Sequence, residues 1–138
     1  MTSSPAEQAV SAVIEAFHAG FAAGDADRCA DLFTADGRLY LLYRDALEDR
    51  ESIRVYFRES FERLDTSAWE PRTELLDVHA DGAAAFITYT ERLRDRRDGS
   101  RQLVRGRLVL LLAGPSDGEG WRIRLLMNSH SHRMEPIE

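Results

Sequence analysis

Residues 79–114 read HADGAAAFITYTERLRDRRDGSRQLVRGRLVLLLAG, and this stretch decides the fold. Asp81-Gly82 and Asp98-Gly99 are turn signals, and the segments they bound are rich in strand-forming residues. Another turn signal follows at Gly114-Pro115-Ser116-Asp117-Gly118. The turns mark four strands at about 67–79, 83–95, 101–113 and 120–131. Consecutive strands joined by short turns make an antiparallel meander.

Upstream the periodicity changes to that of helices. Val10, Val13, Ile14, Phe17 and Phe21 form one apolar face of a helix over about 5–22. Ser4 is its N-cap, Pro5 its first residue and Glu7 the partner of a capping box. Gly24 can take the left-handed stop conformation, and Asp25 can cap a short second helix with Cys29, Ala30 and Phe33 on its buried face. Asp36-Gly37 reads as a turn into a strand at 38–43. Asp49 caps a third helix whose face is Ile53, Tyr56, Phe57, Phe61 and Leu64. Three N-terminal helices and a curved antiparallel sheet wrapped around them predict an α+β class, a cone whose mouth holds a pocket.

Composition narrows the function. The chain has 138 residues, 43% of them hydrophobic, a length that suits one domain spanning 1–138 with its core at about 5–132. A net charge of −6 argues against a nucleic-acid partner. All 18 basic residues are arginine, which removes Schiff-base and phosphate-loop lysine chemistry. No apolar run approaches the ~20 residues of a membrane span. The N-terminus lacks the order of a signal peptide, so a cytoplasmic location is expected. The single cysteine, Cys29, reads as a small core residue without a base beside it.

Four motifs stand at the element boundaries: residues 22–27 (AAGDAD) between the first two helices, 32–37 (LFTADG) at the entry to the first strand, 49–53 (DRESI) at the start of the third helix and 120–123 (GWRI) at the last strand. Their order resembles that of the nuclear transport factor 2 superfamily, which includes ketosteroid isomerase, scytalone dehydratase and the SnoaL-like polyketide cyclases, with Asp49 in place of a glycine. Asn128-Ser129-His130 sits where a subgroup from antibiotic gene clusters often shows Asn-Thr-Arg. The resemblance covers about residues 8–131 and implies a cystatin-like cone.

It also implies where acid–base groups would stand. A ketosteroid isomerase needs a carboxylate base near Leu41, tyrosines at Phe17, Phe33 and Phe57, and an acid near Leu108 or Val109. All are apolar here, which argues against that proton shuttle. The resemblance instead points Leu126, Asn128 and His130 into the pocket, and Phe86, Thr88, Thr90 and Arg92 with them. Arg124 falls deeper or at the rim. His130 is the candidate acid–base residue, oriented by Asn128. The expected ligand set is Phe17, Phe21, Phe33, Tyr40, Phe57, Phe61, Phe86, Thr88, Leu126, Asn128 and His130.

Other residues carry less. His130 and His132 share a strand face, with His79 or an acid as third ligand, but no fixed third ligand defines a site and no metal is assigned. His18 reads as a flanking or satisfied histidine, and Trp69 and Trp121 as packing anchors. Tyr40 and Tyr43 lie on opposite faces of their strand, one inside and one outside. Arg92, Arg94, Arg96, Arg97 and Arg101 read as a solvated hairpin tip. A sharper reading turns Arg92, Arg105 or Arg107 inward to pair with a ligand carboxylate.

The expected partner is a hydrophobic small molecule, aromatic or polyketide-like, with no cofactor, no nucleic acid and no membrane. The resemblance implies cofactor-free cyclisation, dehydration or isomerisation in natural-product metabolism. Two other readings stand beside it: a sequestering protein without catalysis, and an oligomeric scaffold with a vestigial pocket. A homodimer through the outer sheet face is expected, with Trp121, Ile123, Leu125 and Met127 on that face.

Overall fold

The computed structural model describes residues 3–42, 44–116, 120–130 and 135–137. Tyr43, His132 and the Asp117-Gly118 part of the third turn signal lie outside the described residues. The chain begins with α1 (Pro5–Ala23), α2 (Ala26–Asp31), β1 (Phe33–Tyr40) and α3 (Arg50–Arg63). The rest is strand: β2 (Leu64–Asp65), β3 (Trp69–Val78), β4 (Gly82–Asp95), β5 (Arg101–Ala113), β6 (Arg122–His130) and β7 (Glu135–Ile137).

The helices start and stop where local chemistry dictates. Ser4 Oγ accepts the Glu7 backbone N–H as the N-cap, and its hydroxyl donates to the Glu7 carboxylate. Gly24 ends α1 at φ 67°, a left-handed value that favours glycine. Asp25 accepts the Arg28 N–H and Asp49 accepts the Ser52 N–H, the latter at 2.7 Å. That bond holds the Asp49 carboxyl below its usual range. Arg54 bonds Asp27 at 2.9 Å and Asp31 at 2.7 Å, tying α3 to α2.

The strands form one curled sheet in the order β1-β6-β5-β4-β2, with β3 also on β4 and β7 also on β5. The meander β3-β4-β5-β6 is antiparallel, but β1 joins β6 in parallel, so the sheet is mixed. The fold class is the α+β class expected. Asp36-Gly37 is not a turn. Both residues lie inside β1, which starts at Phe33 and has an irregular register between Phe33 and Arg38. An added Cβ at Gly37 would come within 3.1 Å of the Phe33 ring, so glycine lets the strand bend over it.

Two strand faces differ from expectation. On β4 the inward row is Ala83, Ala85, Ile87, Tyr89 and Glu91, all buried. Phe86, Thr88, Thr90 and Arg92 therefore face outward, because a slip of one residue flips every side chain. On β6 a register shift opposite Leu111 and Leu112 breaks the alternation. Ile123 and Trp121 are buried on the inside, not on the outer face, which keeps Leu125 and Met127. Arg124 is exposed rather than deep.

The core joins both layers. Val10, Ile14 and Phe17 from α1 meet Phe33, Ile53, Phe57, Ile87, Leu110 and Ile123. No described helix is long and apolar enough to cross a membrane. Ile53 is fully buried in this core. Ile53→Ala is expected to cost about 2–5 kcal/mol in urea denaturation; a loss below ~1 kcal/mol would mean that α3 does not seal the core.

Candidate functional site

A cavity of about 320 Å³ lies between α1, α3 and the inner face of the sheet. That is the lower end of the ~300–1,000 Å³ range of small-molecule pockets and suits a compact ligand. Phe17 and Phe21 enter from α1, Tyr56, Phe57 and Phe61 from α3, and Trp69 from β3. Tyr89, Glu91, Leu108, Leu126, Asn128 and His130 form the sheet wall. Leu41, Leu42 and Arg44 follow β1 at the edge. The Arg44 guanidinium stands 5.4 Å from the centre of the Tyr56 ring.

Of the expected ligand set, Phe17, Phe21, Phe57, Phe61, Leu126, Asn128 and His130 line this cavity. Phe33 does not. It is fully buried behind the cavity, packed against Phe17 and Phe57 with both ring centres at 6.5 Å. Tyr40 also does not line it: Leu39 of β1 and Leu41 just beyond it do, and the Tyr40 hydroxyl accepts from exposed Arg38. Phe86 and Thr88 are on the outer face. Thr88, Arg105 and Arg107 line a second concavity, which meets the first at Leu42, Tyr89 and His130, and neither arginine, nor Arg92, lines the cavity itself.

Glycine shapes the sheet wall. Gly106 stands between Tyr89 on β4 and His130 on β6 in one cross-strand row. An added Cβ there would lie 2.3 Å from the Tyr89 ring and hydroxyl. Only a residue without a side chain lets Tyr89 lie flat across β5. Its hydroxyl reaches Asn128 and donates to Oδ1 at 2.8 Å. Burial raises the tyrosine's pKa well above its ordinary value, so it stays a neutral donor.

Glu91 is the residue that sequence reasoning missed. It is 6% exposed, and its Oε2 has no hydrogen-bond partner. Burial alone pushes its carboxyl up to about 7. The pocket therefore does hold a carboxyl, on β4 rather than at the Leu41, Leu108 or Val109 positions where the resemblance placed one. An isolated glutamate on the apolar face of an alternating strand is the available sequence signal, and assigning that face outward hid it.

Trp69 is more than a packing anchor. It is the cross-strand partner of Glu91, with its ring 4.3 Å from Tyr89 and 4.7 Å from Phe21. Its Nε1 is buried without a partner, as are both ring nitrogens of His18, 5.9 Å away ring to ring. His18 is thus flanking but not satisfied, and burial lowers its pKa to about 4. Cys29 is a core thiol whose pKa is pushed up to about 12 by burial, unsuited to nucleophilic attack. His79 pairs with Asp77 at the surface. Among the described residues no three metal-ligating side chains converge.

The two buried titrating groups have opposite effects on stability. Glu91 binds its proton more tightly in the fold, so its contribution falls as pH rises from about 4.5 to about 7. His18 resists protonation in the fold, so its contribution rises from pH about 4 to about 6.5. Glu91→Gln is expected to remove the first slope. The variant should gain over the unmodified protein by up to about 3 kcal/mol at pH 8 and by almost nothing at pH 4. Urea denaturation across this range measures it, and an equal effect at both pH values would contradict the assignment.

A family model for the SnoaL-like domain matches residues 14–124. No curated protein matches the chain by sequence. Solved structures share the fold. A ketosteroid isomerase-like protein from Erwinia carotovora atroseptica superposes with a TM-score of 0.82 at 17% identity, over 89% of this chain and 94% of the other. A scytalone dehydratase-like protein from Novosphingobium aromaticivorans gives 0.74 at 12% identity, over 91% and 83%. A calcium/calmodulin-dependent protein kinase II association domain-like protein from Xanthomonas campestris gives 0.67 at 24% identity, over 89% and 86%. With its cone of helices and curled sheet, and with four-fifths of its length matched, this chain belongs to the SnoaL-like domain family of the nuclear transport factor 2-like superfamily.

Proposed function

We propose that this chain binds a hydrophobic, aromatic small molecule in the cavity between its helices and sheet, and acts on it by proton transfer without a cofactor. The observation that carries this reading is Glu91, whose carboxyl stands in an aromatic cavity with its buried Oε2 unpartnered. Keeping it there costs stability, as functional sites often do. His130 lines the same cavity, and Asn128 is held by Tyr89. A carboxyl and an imidazole around one apolar ligand suit isomerisation, dehydration or cyclisation, because each can move a proton at a carbon beside a polarised group. Polyketide-like intermediates are the natural-product class to which this chemistry belongs.

The sequestering alternative uses the same cavity without turnover. The scaffold alternative is disfavoured, since the cavity is open and formed. Self-association through the outer sheet face remains part of the proposal. Leu75 and Met127 are 62% and 46% exposed there, and one structural neighbour is named for an association domain. A cytoplasmic location fits a lone, buried thiol.

Native mass spectrometry before and after denaturing extraction tests the reading. A co-purifying aromatic compound is expected, bound again on re-addition. Ser60→Trp, which puts a bulky ring into the cavity from half-buried Ser60 on α3, should weaken that rebinding at least tenfold while leaving the circular dichroism unchanged. Turnover of the recovered compound should fall in His130→Ala. Protein that stays empty with aromatic acids and ketones, or equal binding by Ser60→Trp, would overturn the proposal.

A further inference from the structure

The groups around Glu91 point to the charge of the ligand. Its cross-strand neighbours are Trp69 and Val104. Trp69 packs on Tyr89 and Phe21, and Phe21 packs on Phe61 at 5.5 Å. No positive charge among the described residues offsets the effect of burial on the carboxyl. Among the described residues the other titratable groups lining the cavity are the hydroxyls of Tyr56 and Tyr89, His130 and Arg44. The Tyr89 hydroxyl is committed to Asn128, and His130 lies across Gly106 in the neighbouring row. Arg44 is exposed and sits over Tyr56. His18 packs against Trp69 and is not among the lining residues.

A buried carboxylate is stable only when a positive charge or donors meet it. Aromatic faces carry negative quadrupoles and attract cations, most strongly in desolvated settings. The net charge of −6 draws cations toward the protein as a whole. A carboxylate and aromatic rings in one apolar cavity, with no cation at the carboxylate among the described residues, thus form a receptor for an organic ammonium group.

We propose that the ligand is a compact hydrophobic amine, with its ammonium on the Glu91 carboxylate and its apolar body against Phe21, Phe61 and Trp69. This inference rests on the small-molecule reading of the same cavity. It leaves Glu91 as the anchor and gives His130 the proton transfer at the ligand body.

Three probes of one shape test it: 2-naphthylmethylammonium, 2-naphthylmethanol and 2-naphthoate, titrated calorimetrically between pH 5 and 8. The ammonium should bind at least tenfold more tightly than the alcohol at pH 8, and the carboxylate most weakly. Below about pH 7 the ammonium affinity should fall about tenfold per pH unit, as Glu91 takes up the proton that excludes the cation. Glu91→Gln should equalise ammonium and alcohol while retaining alcohol binding. If the alcohol or the carboxylate binds as tightly as the ammonium, or the pH slope is absent or reversed, the amine assignment is overturned and the cavity reading stands. If none of the three binds, both are overturned.

Discussion

Phe17, Phe33 and Phe57 meet with ring centres 6.0–6.5 Å apart, and this three-way contact sets the distance between α1, α3 and the sheet. Edge-to-face aromatic packing is directional as well as apolar. Phe33 stands at the start of β1, so the contact also fixes where the first strand enters. Arg54 holds α2 onto α3 from the outside. The Thr66 hydroxyl donates to the Phe21 carbonyl and pins the end of α1 to the segment leading into β3. The sheet must curl to keep contact with both helices. The space left under the curl is the cavity.

The cavity then has its polar character dictated by what the sheet can carry inward. Ala83 and Ala85 keep the buried row small at one end of β4, while Ile87, Tyr89 and Glu91 continue it toward the cavity. Gly106 clears the row in which Tyr89 lies, and Tyr89 in turn restrains Asn128. Val104 and Trp69 flank Glu91, whose Oε2 is buried without a hydrogen-bond partner. The same neighbours that build an apolar pocket therefore raise the carboxyl's proton affinity. Structure and chemistry share a cause here: desolvation by aromatic side chains.

The fold was legible because it rests on local signals. Capping residues at Ser4, Asp25 and Asp49, the stop at Gly24 and the turns at Asp81-Gly82 and Asp98-Gly99 act within a few residues of themselves. The site was legible only in part. Helical periodicity placed Phe17, Phe21, Phe57 and Phe61, and the family resemblance placed Leu126, Asn128 and His130. The face of β4 was inverted, and with it Phe86 and Thr88 were exchanged for Tyr89 and Glu91. Simple alternation would have turned polar Thr88, Thr90 and Arg92 to solvent; alignment by family parity overrode it. The bulge that buries Ile123 and exposes Arg124 depends on pairing with β5, which no local pattern reveals. The distance from Glu91 to any positive charge is likewise a property of the assembled fold.

The most direct measurement is a carbon-13 carboxyl NMR titration of Glu91, with the resonance assigned by its loss in Glu91→Gln. A midpoint at about 7 is predicted, because burial in the cavity raises the group's proton affinity. A midpoint at the ordinary 4.5 would show the carboxylate to be hydrated or paired. It would then contradict the claim that an unpartnered carboxyl stands in the aromatic cavity.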